Sequence, residues 1–179
     1  MDSFLNIRFM DEIILLRPFT FEDVERHVAG DDKESIKWLN EGHPSTVEST
    51  RAWIERQHQS LRDGGPVFTF AIERIDTHDL IGMVETNLDF EKFEGYQAGD
   101  ANVSYALYPE ARGQGYATRA VNLVLQFLQT KEEIRRAVLQ IDRDNVSSLG
   151  LAKRCGFEDG GSMTLKEGKV MRMFYKSCH

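Results

Sequence analysis

The stretch Tyr105-Ala106-Leu107-Tyr108-Pro109-Glu110-Ala111-Arg112-Gly113-Gln114-Gly115-Tyr116-Ala117-Thr118 constrains the fold more than any other part of the chain. A strand-like run over 102–108 stops at Pro109. A turn with two glycines follows. Val121, Val124, Leu125 and Leu128 then recur on one helical face of 118–129. A strand that turns straight into a helix leaves the first N–H groups of that helix without partners. The helix dipole adds partial positive charge at the same place. Glycines lack Cβ atoms, so an anion can come close to the main chain. The segment therefore predicts an anion cradle built from backbone. By itself a glycine turn also reads as a tight strand-to-helix connection. The dinucleotide fingerprint G-x-G-x-x-G/A fails at Thr118, and a P-loop fails because Val170 follows Gly168-Lys169.

The rest of the chain alternates strand and helix signals. A β-branched and leucine run over 13–17 ends at Pro18 and reads as a first strand. Thr20, with Asp23 three residues on, opens a helix to about residue 28. Ser45 with Glu48 forms a capping box, and Val47, Ile54 and Leu61 then recur at helical spacing until Asp63-Gly64-Gly65-Pro66. Strands are expected over 68–74, 80–87, 102–108, 137–142, 161–165 and 170–176. A short helix over 147–154 is closed by Gly156 in a left-handed cap. Loops are expected over 30–33 and 91–100. Strands in adjacent runs with helices between some of them indicate an α+β fold. A length of 179 residues suits one domain over 1–179.

Charge and composition exclude several functions. Lys and Arg total 22 against 29 Asp and Glu, a formal net charge of −7. Broad nucleic-acid binding needs a basic surface, so no nucleic-acid partner is expected. A small anion held locally is not excluded. No run of about 18 apolar residues is present, and Asp2, Asn6 and Arg8 interrupt the first ten, so neither a membrane span nor a signal peptide is expected. Cys155 and Cys178 cannot build a disulfide scaffold, which suits a reducing cytoplasm. The five histidines show no ligand spacing, so no metal is expected. Trp38 and Trp53 read as helix packing before substrate contact.

In context the glycine turn resembles a known family. Arg112-Gly113-Gln114-Gly115-Tyr116-Ala117 fits the R/Q-x-x-G-x-G/A motif of the Gcn5-related N-acetyltransferases (GNAT). Leu16-Arg17-Pro18 with Glu22-Asp23 resembles the opening of its RimJ/RimL-type branch, as does Ile81-Gly82. Asn145-Val146-Ser147-Ser148, followed by Lys153-Arg154-Cys155-Gly156-Phe157, is similar to that branch's N-x-x-S…K-x-x-G-F ending. The resemblance runs from about Ile13 to Tyr175.

The resemblance implies a GNAT fold: a mixed, mostly antiparallel sheet of about seven strands flanked by about four helices, splayed between strands 4 and 5. Acetyl-CoA would lie in the gap. Main-chain amides of Arg112, Gly113, Gln114, Gly115, Tyr116, Ala117 and Thr118 would hold its pyrophosphate. The strand edge at Tyr105 and Leu107 would pair with the pantetheine amides, and Asn145 would hydrogen-bond the same arm. The implied activity is direct acetyl transfer to a primary amine, either a protein N-terminus or a small amine. The protein would act as a monomer or homodimer.

The Leu107 amide is the candidate for stabilising the oxyanion. The tyrosine that many relatives use to protonate the leaving thiolate is replaced by Ala152. Ser148 is the candidate donor, with helix capping as its structural alternative. The strand glutamate of many relatives is Asn102 here, so Glu85 is the candidate base, with Asp100 and Glu41 behind it. These two losses also motivate a second reading, a non-catalytic acyl-CoA-binding regulatory module.

Overall fold

The computed structural model describes residues 3–38 and 42–179, without the side chain of Trp38. Glu41 and the Trp38 side chain thus lie outside the described residues. In chain order the elements are β1 (Phe9–Met10), β2 (Ile14–Arg17), α1 (Val24–Ala29), α2 (Lys33–Trp38), α3 (Val47–Arg62), β3 (Val67–Arg74), β4 (Leu80–Asn87), β5 (Asp100–Leu107), α4 (Tyr116–Gln129), β6 (Arg136–Asp142), α5 (Val146–Arg154), β7 (Glu158–Thr164) and β8 (Val170–Ser177). Eight strands form one sheet in the order β1-β2-β3-β4-β5-β6-β8-β7. Every pairing in it is antiparallel except β5 with β6. That parallel pair follows from its connection, because a strand that returns through a helix re-enters the sheet in the same direction.

The mixed, mostly antiparallel sheet agrees with the expected class, with one strand and one helix more than expected. β1 is two residues long and carries no periodic signal. α2 begins at the last residue of the expected loop and continues where no element was expected. Asp32 caps it, accepting the Ser35 N–H at 2.9 Å, a local contact that hydrophobic spacing does not report. The cap of α3 is one residue later than expected. Thr46 accepts from the Ser49 N–H, and the Ser49 hydroxyl faces back to the Thr46 N–H. The Ser45 N–H goes instead to Asp31. On α3, Ile54 and Leu61 are buried as the spacing requires, while Val47 in the first turn is exposed.

Two apolar layers flank the sheet. On one face α4 and α5 cover Leu16, Phe70, Val84 and Val103 through Val121, Val124, Leu128 and Leu151. On the other, α1 and α3 enclose Phe19, Val24, Ile54, Ala71 and Tyr108, with Trp53 packed against them and stacked on His27. Trp53 is therefore a packing residue. The segment 91–100 is anchored: Phe90 stacks on Phe93, and buried Tyr96 donates to Asn102 Oδ1 at 2.8 Å.

Motif residues in the first half act structurally. The Arg17 guanidinium contacts Asp23 at 2.8 Å and Glu73 at 2.5 Å, tying the segment before α1 to β2 and β3. The last turn of α5 closes as the sequence predicts. Gly156 has φ +73°, its N–H reaches Lys153 C=O, and the Phe157 N–H reaches Ala152 C=O. These are the two bonds of a Schellman cap.

Removing Arg17 leaves two largely buried carboxylates facing each other. Arg17→Met is expected to lower the unfolding free energy by about 3 kcal/mol, in the range for breaking a buried pair from one side. Urea unfolding measures this. A loss below about 1 kcal/mol would assign the triad the weight of a surface pair.

Candidate active site

β5 and β6 pair over only three positions, Asp100↔Arg136, Ala101↔Ala137 and Asn102↔Val138. Beyond them each strand follows its other neighbour. β5 stays in register with β4 out to Leu107, while β6 pairs along its full length with β8. Gly82 makes the first of these possible. A Cβ there would stand 2.2 Å from Ala106 C=O and 3.0 Å from Leu107 Cα. The two strands therefore diverge, and a cleft of about 480 Å³ opens between them.

The cleft wall runs from Val103 to Leu107 on β5 and from Leu139 to Asp142 on β6. Tyr108 N–H bonds to Ile81 C=O on β4 at 2.9 Å. By strand alternation the N–H groups of Val103, Tyr105 and Leu107 point the other way, into the gap. Arg112 Nε donates to Leu107 C=O at 3.1 Å. The Leu107 N–H remains as a donor on this open edge.

At one end of the cleft the chain turns into α4. Gly113 and Gly115 have φ of +73° and +84°, and a Cβ on either would meet no protein atom within 4 Å. Both glycines line the cleft. Gly115 occupies the N-cap position with no side-chain cap, and Arg119 N–H bonds back to Gly115 C=O. The amides of Tyr116, Ala117 and Thr118 form the open end of the helix. The glycine turn thus opens onto a helix N-terminus with free space beside both glycines. The Arg112 N–H points to Pro109 C=O at 3.4 Å. Its guanidinium holds Asp32 at 2.7 Å and Glu34 at 2.9 Å. That contact holds the Asp32 carboxyl well below the usual carboxylate range and docks α2, whose Glu34 and Ser35 border the cleft. The Gln114 amide donates to Glu110 C=O, and the Tyr116 ring is buried in the core. These two positions therefore contribute main chain rather than side chain.

α5 forms the other border. Asn145 caps it by accepting the Ser148 N–H at 3.2 Å and lines the cleft together with Ser148. The Ser148 main chain is thus part of the cap. Ala152 is fully buried. Tyr105 lines the cleft, but its hydroxyl is buried and has no hydrogen-bond partner. Burial pushes this phenol up to about 12.

Glu85 lies on β4 opposite Ser104, and Ser104 rather than Glu85 lines the cleft. The Thr69 hydroxyl donates to Glu85 at 2.6 Å. Burial raises the carboxyl's pKa, with the Thr69 bond opposing. The carboxyl stands one strand behind the wall. Asp100 is unsuited to proton transfer, since Arg136 grips both its oxygens at 2.7 Å and the Gln97 N–H binds it as well. Sequence reasoning did not find Arg154 and Lys169, both at the cleft. Arg154 follows directly on Lys153 of the recognised motif, but nothing in the spacing sets it apart. Lys169 comes from the turn before β8, which carries no motif.

Among the described residues no group of three or more His, Cys, Asp or Glu could hold a metal ion, and no helix is long and apolar enough to cross a membrane. The family model of the acetyltransferase (GNAT) domain matches residues 14–158. Spermidine N(1)-acetyltransferase of Escherichia coli K12 is 25% identical over 166 residues, covering 90% of this chain and 78% of that one. Alpha/beta-tubulin-N-acetyltransferase 9 of Drosophila melanogaster is 24% identical over 157 residues, covering 83% and 76%. The RimL ribosomal L7/L12 alpha-N-protein acetyltransferase with coenzyme A superposes with a TM-score of 0.79 at 17% identity, covering 96% of this chain and 98% of that one. The Microcin C7 self-immunity acetyltransferase with acetyl-CoA and AMP gives 0.79 at 19%, covering 98% and 99%. These structural likenesses establish the fold.

A carboxyl whose pKa is higher folded than unfolded destabilises the fold as pH rises from the unfolded value through the folded one. Glu85→Gln removes that effect. The stability of the variant relative to wild type is expected to grow across this window and level off above it, read from urea unfolding at a series of pH values. A difference that does not change with pH would mean that burial leaves this carboxylate unperturbed.

Proposed function

The chain belongs to the GNAT acetyltransferase family, and on that premise we propose that it moves an acetyl group from acetyl-CoA directly onto a primary amine. The observation that carries this reading is the junction of the glycine cradle with the cleft. Gly113 and Gly115 leave open space on the ligand side of a helix N-terminus, and the open edge of β5 begins beside it. An acidic protein can hold a diphosphate here because the donors are local backbone amides. The Tyr105 main chain and the Asn145 amide stand where they can bond to the peptide-like arm of the coenzyme.

Within this reading the thioester supplies an activated acetyl group, and the chain's residues supply position and proton control. The Leu107 N–H faces the oxygen on which negative charge develops. Glu85 takes the amine's proton through the water and hydroxyl region at Ser104, since an ammonium has no lone pair with which to attack. A carboxyl with a raised pKa suits that task better than an ordinary one. The Ser148 hydroxyl faces the departing sulfur. For the acceptor we infer a cationic amine, a protein N-terminus or a small polyamine-like molecule. The relatives named above act on spermidine, tubulin and a ribosomal protein.

The test pairs calorimetry with release of free thiol from acetyl-CoA across an amine panel. Wild type is expected to bind coenzyme A and to release thiol with at least one amine. Gly115→Ala places a methyl in the cradle and strains a left-handed residue, which costs about 1–2 kcal/mol. It is expected to weaken coenzyme A binding at least about tenfold, the loss of a charge-assisted hydrogen bond. Tight binding without thiol release for any amine would favour a non-catalytic acyl-CoA-binding module. No binding would overturn both readings.

A further inference from the structure

Three observations on α5 and β5 converge. Tyr105 Oη is a buried hydroxyl with no hydrogen-bond partner, a state that costs free energy and that folded proteins rarely tolerate without a reason. Its polar surroundings are Ser148, Arg154 and Cys155, all on α5 or at its end. Ser148, Ala152 and Cys155 are spaced four and three residues apart and share one helical face. Ala152 in the middle of that face is fully buried and carries only a methyl. The phenol thus approaches α5 from the strand, on a face whose middle residue is small. Ser148 Oγ is near enough to influence the phenol, yet the two hydroxyls fall short of hydrogen-bond geometry.

We propose that Tyr105 is a positioning residue for Ser148: its phenol donates to Ser148 Oγ once the cleft is filled, turning the serine's own proton toward the ligand's sulfur. The inference rests on the coenzyme A reading above. In the transfer step the C–S bond breaks and its electron pair goes to sulfur. The Ser148 O–H donates a hydrogen bond to the departing sulfur and the Tyr105 O–H holds the serine in that orientation, neither losing its proton. The proton that Glu85 takes from the amine passes on through solvent to the thiolate, so the sum is thioester plus amine to amide plus thiol. Tyr105 Oη itself stays out of contact with the ligand, consistent with its burial. A purely structural tyrosine would have found a partner in the fold or would be a phenylalanine.

The test compares binding of coenzyme A and desulfo-coenzyme A, which lacks the sulfur, by wild type, Tyr105→Phe, Ser148→Ala and the double variant. Wild type is expected to prefer coenzyme A by about three- to tenfold, the weight of one hydrogen bond. Each single variant is expected to lose most of that preference, and the double variant to lose no more than either. With an accepted amine, Tyr105→Phe is expected to lower kcat and leave the KM for acetyl-CoA unchanged. Its melting temperature should be equal to or above that of wild type, because the unpaired hydroxyl is gone. A Tyr105→Phe protein that keeps the wild-type sulfur preference while Ser148→Ala loses it would overturn the proposal and leave the acetyl-transfer reading intact. Failure of wild type to bind either compound would overturn both.

Discussion

Hydrogen bonding pulls β5 and β6 in opposite directions, and the functional geometry follows from that. β4 holds β5 as far as Leu107, and β8 holds β6 along its whole length. Only three positions of the parallel pair can then meet. A sheet interior normally pairs all its backbone groups. Here one edge opens inside the sheet rather than at its rim, and the crossover through α4 places a helix N-terminus at its mouth. Gly82 is a quiet requirement of the arrangement, since any side chain there would collide with the backbone of β5. Arg112 is another. It ties the end of β5 to α2 through Leu107 C=O, Asp32 and Glu34.

Much of this was legible in the residues. The two-glycine turn, the amphipathic stripe of α4 and the strand runs depend on local chemistry and on periods of two and 3.6, so they read directly. The Gly156 cap also read correctly, because a Schellman motif is encoded within a few positions. What escaped was set by non-local contacts or by very short elements. α2 is one capped turn and more, whose docking depends on Arg112 nearly eighty residues away. The cap of α3 shifted from Ser45 to Thr46 because Asp31 captures the Ser45 N–H. At the glycine turn, the Arg112 N–H contact to Pro109 C=O is one that spacing alone does not reveal.

In the proposed mechanism the proton chemistry divides between the two faces of the sheet. Glu85 sits on the side of α3, beside Thr69 and behind Ser104. Tyr105 and Ser148 sit on the side of α4 and α5. In the proposed reaction an amine adds to the carbonyl carbon and a thiolate leaves it, and the gap between β5 and β6 is where groups from the two faces can reach that carbon together. The sequence offers Asp100 as a further acid or base, but its ion pair with Arg136 makes it a structural anchor at the closed end of the gap. Burial favours a neutral Glu85 carboxyl, and proton abstraction needs the ionised form. The Thr69 hydroxyl bond works toward the ionised form and so limits the upward shift.

The most direct measurement of the central claim is a residue-resolved amide NMR titration with coenzyme A. The account predicts the largest shift changes at the amides of Gly113, Gly115, Ala117 and Thr118 and along Val103 to Leu107, with little change on β1 and β7. Saturating coenzyme A that leaves those amides unmoved, or that perturbs another surface instead, would contradict it.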